Sequence, residues 1–504
     1  MKHVSNLHMK TIKNIKRNPF AQYSAEEELD ALKEYYYEQQ YYQELVDLAK
    51  EGVSRFVLGQ RGQGKSATIY HLFDDLQRNK ILPVLITRYD NIPENNNENY
   101  FLYSIIQGIT FGIAKELYVN KKLRSKLNKS QKTEIAILIE AFYDQQHADE
   151  FLRCSKGIAT KRRKNALKRI WNVFLKKPVN SLISAGVQVS VQLIQSYAGV
   201  TPDFSIVGHE YFEGFKIEEF QNVSREKLVS WPTERLIKII HNMQAIAEKL
   251  GHESIVILFD KIDEVKDIST DINKVAEFIF DLLSDTDLLY TNKLSIVMSL
   301  WSEIKKALNQ KGVRFDKFKE IDIRWRNEEL AALINKRLTY FSIDKSNSVS
   351  FQSLLPNKDD QTKILKIADG SPRSLITLLS YIINEESETN DIVSFSSSAI
   401  YNGCLAYCKK FDYYSQQPVR TGKNSDIINW INRLLRMKLT SFSIRQYSDF
   451  FKVSNLKTAQ RHINDLIKYN LVKDSLYPAS DGTTLYEVVD PRINYLIVNG
   501  IVDL

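Results

Sequence analysis

Glycine, proline and cysteine are all scarce in this chain of 504 residues, which contains 18, 11 and 3 of them. Few Gly and Pro residues favour a helix-rich protein with few loop tracts. The three cysteines, Cys154, Cys404 and Cys408, form neither a disulfide framework nor a paired CxxC metal motif, which suits a reducing cytoplasm. Cys404 and Cys408 could share a helix face and bind a metal. No His or further Cys lies near them in the sequence, so buried apolar thiols are the favoured interpretation.

A long hydrophobic segment is also missing. The first twenty residues lack the apolar core of a signal peptide, and three glutamines interrupt the most membrane-like run, at residues 181–200. We therefore expect a cytoplasmic protein with no membrane partner. Hydrophobic residues make up 43% and charged residues 26% of the chain, which are ordinary values for a globular protein. The length allows about two to four domains.

The segment 56–73, FVLGQRGQGKSATIYHLF, fits the pattern G-x-x-x-x-G-K-[ST] of a phosphate-binding loop. The glycines let backbone N–H groups point inward, and the following helix N-terminus adds the positive end of its dipole. Lys65 is expected to reach the β- and γ-phosphates, and the Ser66 hydroxyl to ligate Mg²⁺. An accidental Gly-rich turn is disfavoured by the strand pattern before the loop and the helical period after it. The predicted nucleotide contacts are Gly59, Gln60, Arg61, Gly62, Gln63, Gly64, Lys65, Ser66 and Ala67.

A second segment, ESIVILFDKIDEVKD, predicts the other half of the site. The apolar run from Ile255 to Phe259 is typical of a strand buried on both faces of a parallel sheet. Carboxylates at the end of such a strand lie where open α/β sheets bind ligands. We expect Asp260 to bind Mg²⁺ and Glu264 to polarise the attacking water, while Asp263 assists with the metal or caps the next helix. The alternative is an acidic, solvated turn. Together with the phosphate-binding loop, this acidic segment favours hydrolysis of ATP or GTP.

Several motifs occur in the order found in one family. They are NPF at 18–20, the aromatic-rich helix LKEYYYEQQYYQELVDLAKEG at 32–52, LGQRGQGKS, ILFDKIDEV and GSPRSL. With these motifs the chain resembles origin-recognition-complex-like AAA+ ATPases, most of all the bacterial proteins of that group, whose STAND-type relatives share much of the layout. The resemblance covers roughly residues 18–95 and 230–390.

The resemblance implies ATP and Mg²⁺ as cofactors, and homo-oligomers or a partner protein of the same system. It also implies roles for three further residues. Ser299, the last polar residue of the apolar run KLSIVMSLW, matches a water-orienting sensor 1, and Arg373 in GSPRSL matches sensor 2. Arg314 lies where such ATPases often place an arginine finger for the neighbouring subunit, and an ordinary solvated arginine is an equally open interpretation.

The chain departs from a compact AAA+ core in a long insert. Residues 153–177 within it contain ten Lys or Arg and no acid, with Trp171 and Phe174 between them. A solvated helix face is the ordinary explanation of a charge run, but ten uninterrupted positive charges favour a polyanion such as DNA or RNA. The expected contacts are Lys161, Arg162, Arg163 and Lys164.

The C-terminal segment reads as three helices and a hairpin, the order of a winged helix. Residues 420–474 contain eleven Lys or Arg and four Asp. The predicted recognition helix buries Leu456, Ala459, Ile463, Leu466 and Ile467. Its outward face presents the candidate DNA contacts Lys457, Gln460, Arg461 and Asn464. Because winged helices also serve as protein-interaction modules, DNA contact and protein docking both stay open.

The predicted fold class is α/β, with a P-loop NTPase (AAA+/ASCE) parallel sheet. The predicted domains are a helical lead-in at 1–50, the ATPase core at 51–98 and 230–325, a basic, mostly helical insert at 99–229, a helical lid at 326–415 and a winged helix at 420–504. We expect an ATP-hydrolysing, nucleotide-dependent switch that binds duplex DNA, and the resemblance adds phage defence or mobile elements as a context. The alternative is a STAND-like signalling ATPase whose winged helix binds protein.

Overall fold

The computed structural model describes residues 11–90, 92–128, 131, 134, 135, 138, 229–284, 286–315, 320–387, 391–417, 426–480 and 482–504. The protein forms two compact units. The sheet unit comprises Gln40–Leu58 and Thr68–Asp322. The loop–lid unit comprises Met1–Gln39, Gly59–Ala67 and Ile323–Leu504.

The aromatic-rich segment 32–52 belongs to two helices, so the single helix expected from the sequence is wrong. The helices are α1 (Leu29–Tyr35) and α2 (Tyr41–Lys50). The backbone becomes extended at Tyr36, where ψ is 134°. Gln39, in the connection, is buried and its Nε2 donates to Glu329 Oε2 at 3.1 Å. The long-range hydrogen bonds of this connection override the local helical propensity of the segment.

A parallel five-stranded sheet with the order β2-β3-β4-β1-β5 forms the core of the sheet unit. Its strands are β1 (Arg55–Gly59), β2 (Ile81–Ile86), β3 (Ser254–Phe259), β4 (Leu294–Trp301) and β5 (Glu320–Asp322). Every residue of β3 and β4 is buried, which explains their near-continuous apolar sequences. The predicted α/β class with a parallel sheet is confirmed.

Helices cover this sheet, and two of them come from segments outside the predicted core. The further helices are α3 (Lys65–Arg78), α4 (Glu98–Val119), α5 (Thr233–Leu250), α6 (Ile272–Ser284), α7 (Thr286–Leu289) and α8 (Ser302–Gln310). The C-terminal end of α2 meets β3, where Ser254 Oγ donates to Lys50 O at 3.0 Å. The start of the predicted insert, α4, packs closely on β2, since a Cβ at Gly112 would lie 2.9 Å from Leu82 Cδ1.

The lid is a group of helices within the loop–lid unit. They are α9 (Asn327–Phe341), α10 (Phe351–Leu354), α11 (Lys358–Ala368), α12 (Pro372–Glu385) and α13 (Ser397–Lys410). The NPF motif is fastened to α9 by Arg337, which is 2% exposed. Arg337 pairs with the Glu28 carboxylate and donates to the carbonyls of Pro19 and Gln22. A buried charge with a carboxylate partner and two carbonyl acceptors is fully engaged, so the motif has a structural role here.

The C-terminal residues fold as the expected winged helix. Its elements are α14 (Ile427–Met437), β6 (Ser441–Ser443), α15 (Ile444–Phe451), α16 (Leu456–Lys468), β7 (Val472–Pro478), β8 (Thr484–Val488) and α17 (Pro491–Val498). The strands form an antiparallel sheet in the order β6-β8-β7. The structure thus adds β6 and α17 to the predicted three helices and hairpin.

The buried face of α16 is narrower than the sequence predicts. Ala459, Ile463 and Leu466 are buried, but Leu456 is 50% and Ile467 40% exposed. The helix contacts α15 and β7 along this one stripe, which leaves its margins open to solvent. None of the helices within the described residues is both long and apolar enough to span a membrane.

Candidate functional site

The phosphate loop lies between β1 and α3, as the sequence predicts. Gly62 and Gly64 have φ values of +81° and +92°, a backbone region in which a side chain is strained. None of the described atoms lies within 4 Å of the position that a Cβ would take at Gly64. Lys65 begins α3, and its Nζ donates to Gly59 O at 3.0 Å and to Gln60 O at 3.2 Å. The loop backbone therefore leaves room at Gly64 for a phosphate beside the lysine ammonium.

The start of α12 and the linker before α9 contact this loop within the loop–lid unit. Arg373 N–H donates to Gly62 O at 3.2 Å, and a Cβ at Gly62 would lie 2.6 Å from Ser371 Oγ. The indole N–H of Trp325 donates to Gln63 O at 2.9 Å. The predicted sensor 2, Arg373, is thus beside the loop through its backbone, and its side chain is exposed. Trp325 and Ser371 are not among the predicted contacts, because a lone indole or serine has no sequence pattern that marks it.

The acidic edge of the sheet unit is formed where β3 and β4 end. In the parallel register Phe259 pairs with Met298, which brings the next residues, Asp260 and Ser299, together. Both are 1% exposed, and Ser299 Oγ donates to Asp260 Oδ1. The predicted sensor 1 and Walker B aspartate therefore meet directly. Two of the residues assigned to the site from separate sequence segments form one buried hydrogen bond.

Tyr89 holds the backbone of this edge, a role that the sequence analysis missed. Its hydroxyl donates to Asp260 O at 2.7 Å and to Ile86 O at 3.0 Å, which ties the ends of β2 and β3 together. Burial, followed by the nearby carboxylates of Asp260 and Asp263, raises the pKa of Tyr89 well above its ordinary value. The hydroxyl therefore keeps its proton and remains a donor.

The turn after Asp260 separates the two remaining carboxylates. Lys261 has a φ of +64°, and a short 3-10 helix follows at Ile262–Glu264. Asp263 is 7% exposed, whereas Glu264 is exposed. An exposed carboxylate is accessible to water, as a general base requires, and the buried Asp263 faces the protein interior. The roles assigned to Glu264 and Asp263 from the sequence stay predictions.

The sheet order places the ends of β1 and β3 on the same edge, with only β4 between them. The phosphate loop continues from β1, and Asp260 follows β3. A serine hydroxyl and an aspartate carboxylate are hard oxygen ligands of the kind that Mg²⁺ prefers, so Ser66 in the loop and Asp260 at the sheet edge each have the chemistry of a magnesium ligand. The loop, with its two left-handed glycines and its lysine, fits the phosphates of a nucleoside triphosphate.

Most of the remaining predicted contact residues are exposed on the protein surface. Arg314, the candidate arginine finger, is exposed after α8. On α16, Lys457, Arg461 and Asn464 are exposed. Gln460 is half-buried, and its Nε2 donates to Asn464 Oδ1 at 2.9 Å. The basic residues Lys161, Arg162, Arg163 and Lys164 of the insert lie outside the described residues.

The two C-terminal cysteines are core thiols, as the sequence indicates. Cys404 and Cys408 are both fully buried in α13. Burial raises the pKa of the Cys404 thiol to about 12 and raises that of Cys408 as well. Within the part of the chain that the structure describes, no group of three or more His, Cys, Asp or Glu side chains could hold a metal ion. The buried thiols therefore contribute to the packing of α13.

No protein-family model and no curated protein matches this chain. Among solved structures it is similar to the Aeropyrum pernix ORC2 protein in its ADPNP–ADP complexes, with 10% identity, 96% of this chain and 98% of that chain covered, and a TM-score of 0.38. It is also similar to the Aeropyrum pernix ORC1 protein in complex with DNA, with 10% identity, 97% of this chain and 98% of that chain covered, and a TM-score of 0.34. For CDC6P from Pyrobaculum aerophilum the identity is 10%, the match covers 94% of this chain and 97% of that chain, and the TM-score is 0.30. Similarity at this level assigns neither a family nor an activity to the chain.

Proposed function

We propose that this protein binds and hydrolyses ATP with Mg²⁺ and uses its nucleotide state to control binding of duplex DNA. The observation that carries the proposal is the phosphate loop, in which Gly62 and Gly64 adopt left-handed backbone conformations immediately before Lys65 begins α3. This arrangement turns backbone N–H groups towards a phosphate and puts a helix N-terminus behind them.

The proposed roles follow from chemistry and position. Lys65 would neutralise the β- and γ-phosphates, and Ser66 and Asp260 would hold Mg²⁺, which would polarise the phosphoryl oxygens. Glu264 accepts a proton from the attacking water. Ser299, bonded to Asp260, orients this carboxylate and the water beside it. Arg373 supplies positive charge from the lid. Arg314 supplies it as an arginine finger from a neighbouring subunit.

Nucleotide binding tests the first half of the proposal. Lys65→Ala should abolish tight ATP binding, because the ammonium that faces the phosphates is lost. Lys274→Ala, which removes an exposed lysine of α6, is the matched control and should bind ATP like the parent. Titration with a fluorescent ATP analogue measures both affinities. Equal affinity of the Lys65→Ala variant and the parent would remove the phosphate-loop assignment.

DNA binding tests the second half. Lys457 and Arg461 are exposed and one turn apart on α16, so both can reach phosphates or a guanine edge along one groove. Replacing both with Glu should weaken duplex binding by several kcal/mol, at about 1–3 kcal/mol for each lost contact plus repulsion. Lys358→Glu with Lys366→Glu on α11 makes the same change in net charge at exposed positions and is the control. Binding is measured over a range of salt concentrations, because phosphate contacts steepen the salt dependence.

A second candidate function has one observation in its favour. On β7 the apolar side chains Leu476 and Tyr477 are 95% and 74% exposed. Exposed apolar groups of this size favour a protein surface as partner, as in a STAND-like signalling ATPase. If the double Glu variant keeps full DNA affinity, the winged helix is a protein-docking module and this second function takes first place. Roles in phage defence or mobile elements would be tested in cells with the same variants.

A further inference from the structure

The turn between α11 and α12, residues 369–371, and the first residues of α12 contact two different parts of the loop–lid unit. Asp369 and Gly370 both adopt left-handed conformations, with φ values of +54° and +66°. Ser371 then caps α12, its Oγ accepting from Ser374 N–H at 3.1 Å. Two consecutive left-handed residues followed by a side-chain cap leave this turn little freedom, so it moves as one piece with α12.

One side of the turn touches the phosphate loop. The contacts are the hydrogen bond from Arg373 N–H to Gly62 O and the close approach of Ser371 Oγ to Gly62. Any change in the backbone at Gly62 must displace the start of α12, because there is no space for even one added carbon atom between them.

The other side of the turn touches the winged helix through a buried arginine. Arg492, in the first turn of α17, is 5% exposed. Its Nη2 donates to Asp369 Oδ2 at 3.2 Å and to Asp490 Oδ2 at 2.8 Å, and its Nε donates to Asp490 Oδ1 at 2.9 Å. The guanidinium carbon lies 3.9 Å from the centroid of the Phe411 ring. The planar fork of one arginine thus joins a carboxylate of the winged helix to a carboxylate of the turn.

We propose that Arg492 and Asp369 form the link through which the nucleotide state of the phosphate loop sets the orientation of the winged helix. The link runs from Gly62 to Ser371 and Arg373, along the rigid turn to Asp369, and across the ion pair to Arg492. This link rests on the proposed function, and its residues are those through which the nucleotide state controls DNA binding. Arg492 and Asp369 are positioning residues, since neither is assigned to nucleotide or DNA.

The loop has a physical reason to change when nucleotide binds. Lys65 Nζ donates to the carbonyls of Gly59 and Gln60, and a phosphate competes for the same ammonium protons. Loss of those bonds releases the loop backbone two residues before Gly62. The ion pair from the buried Arg492 to Asp369, whose side chain is 54% exposed, then transmits the shift to α17, because Asp490 and the Phe411 ring hold the guanidinium in one place.

Asp369→Asn is the variant that tests the link. Asn tolerates the left-handed backbone of this position and has the shape of Asp, so the turn should fold. The pair between Arg492 and Asp490 stays, so α17 keeps its N-terminal contacts. Asp391→Asn is the matched control, because Asp391 is exposed, belongs to the same unit and has a φ of +59°.

The readout is the ratio of the duplex DNA dissociation constants of the full chain with ADP and with a non-hydrolysable ATP analogue. Coupling between two sites is typically about 5- to 150-fold, and we expect the parent and Asp391→Asn in that range. Asp369→Asn should bring the ratio to within about twofold of one while the ATP affinity is unchanged. A parental ratio in Asp369→Asn would overturn the link.

A second variant and a DNA-free measurement separate this inference from the proposed function. Arg492→Lys keeps the charge, but an ammonium cannot bridge both carboxylates as the planar fork does, so the ratio should fall here too. Hydrogen exchange of peptides from α16 and α17 should differ between the two nucleotides in the parent and not in Asp369→Asn. If the parent shows no nucleotide effect in either measurement, the proposed function fails. If the parent shows the nucleotide effect and both variants keep it, the link alone fails.

Discussion

Gly62→Ala is the substitution that tests most directly whether the lid rests on the phosphate loop. Its cost is the sum of three contributions. An alanine at φ +81° is strained by about 1–2 kcal/mol. Its Cβ would lie 2.6 Å from Ser371 Oγ and 3.2 Å from Arg373 Cβ, and moving these groups costs about 0.5–1.5 kcal/mol. The hydrogen bond from Arg373 N–H to Gly62 O then lengthens or breaks, which costs about 1 kcal/mol.

Gly64→Ala is the matched control for this substitution. Gly64 has a similar φ of +92°, so the backbone strain is the same. None of the described atoms is within 4 Å of its Cβ position, so the two contributions from the lid do not arise. The difference between the variants is therefore about 1.5–2.5 kcal/mol of local stability at the start of α12, or about 10- to 60-fold in an equilibrium constant.

Hydrogen exchange without nucleotide measures this difference at the site. A peptide that covers the start of α12 should exchange about 10- to 60-fold faster in Gly62→Ala than in Gly64→Ala, because exchange there requires local opening. A peptide from the middle of α13 should not change in either variant. Equal exchange of the α12 peptide in the two variants would refute the contact between the lid and Gly62, and with it the first step of the proposed link.

The remaining predictions concern catalysis, the sheet edge and the buried thiols. Glu264→Gln should retain ATP binding and slow phosphate release by about 10²-fold or more; if Asp260→Asn abolishes turnover and Glu264→Gln does not, the base is misassigned. Tyr89→Phe removes the hydroxyl that donates to the buried carbonyls of Ile86 and Asp260, although Ile86 O keeps the Asp260 N–H as a donor at 3.1 Å, and it should reduce the free energy of unfolding by about 1–3 kcal/mol, measured by urea titration of the near-UV signal; an unchanged midpoint would contradict this. Because burial raises the pKa of Cys404 to about 12, only about one thiol in ten thousand is thiolate at pH 8, and iodoacetamide should label Cys404 and Cys408 in urea but not in the native protein. Fast native labelling would show that α13 opens readily.

The sequence by itself determined the elements whose residues are contiguous. The phosphate loop, the apolar strands β3 and β4, the start of α12 near Arg373 and the wing hairpin all follow from short patterns, because backbone geometry and burial on both faces impose residue types locally. The α/β class follows from the same patterns. Where a pattern had weaker physical support, the prediction failed. One helix was expected across 32–52, and Leu456 and Ile467 were assigned to a core that reaches only Ala459, Ile463 and Leu466.

Only the tertiary structure decided which side chains meet. Ser299 lies 39 residues from Asp260, Trp325 lies 262 residues from Gln63, and Arg492 lies 123 residues from Asp369. Nothing local distinguishes these residues from others of their type, because a serine, an indole or a guanidinium has many acceptors to choose from. The strand order brings Ser299 to Asp260, and the packing of α11 on α17 brings Asp369 to Arg492. The sequence determines which chemical groups are present, and the fold selects which of them become partners.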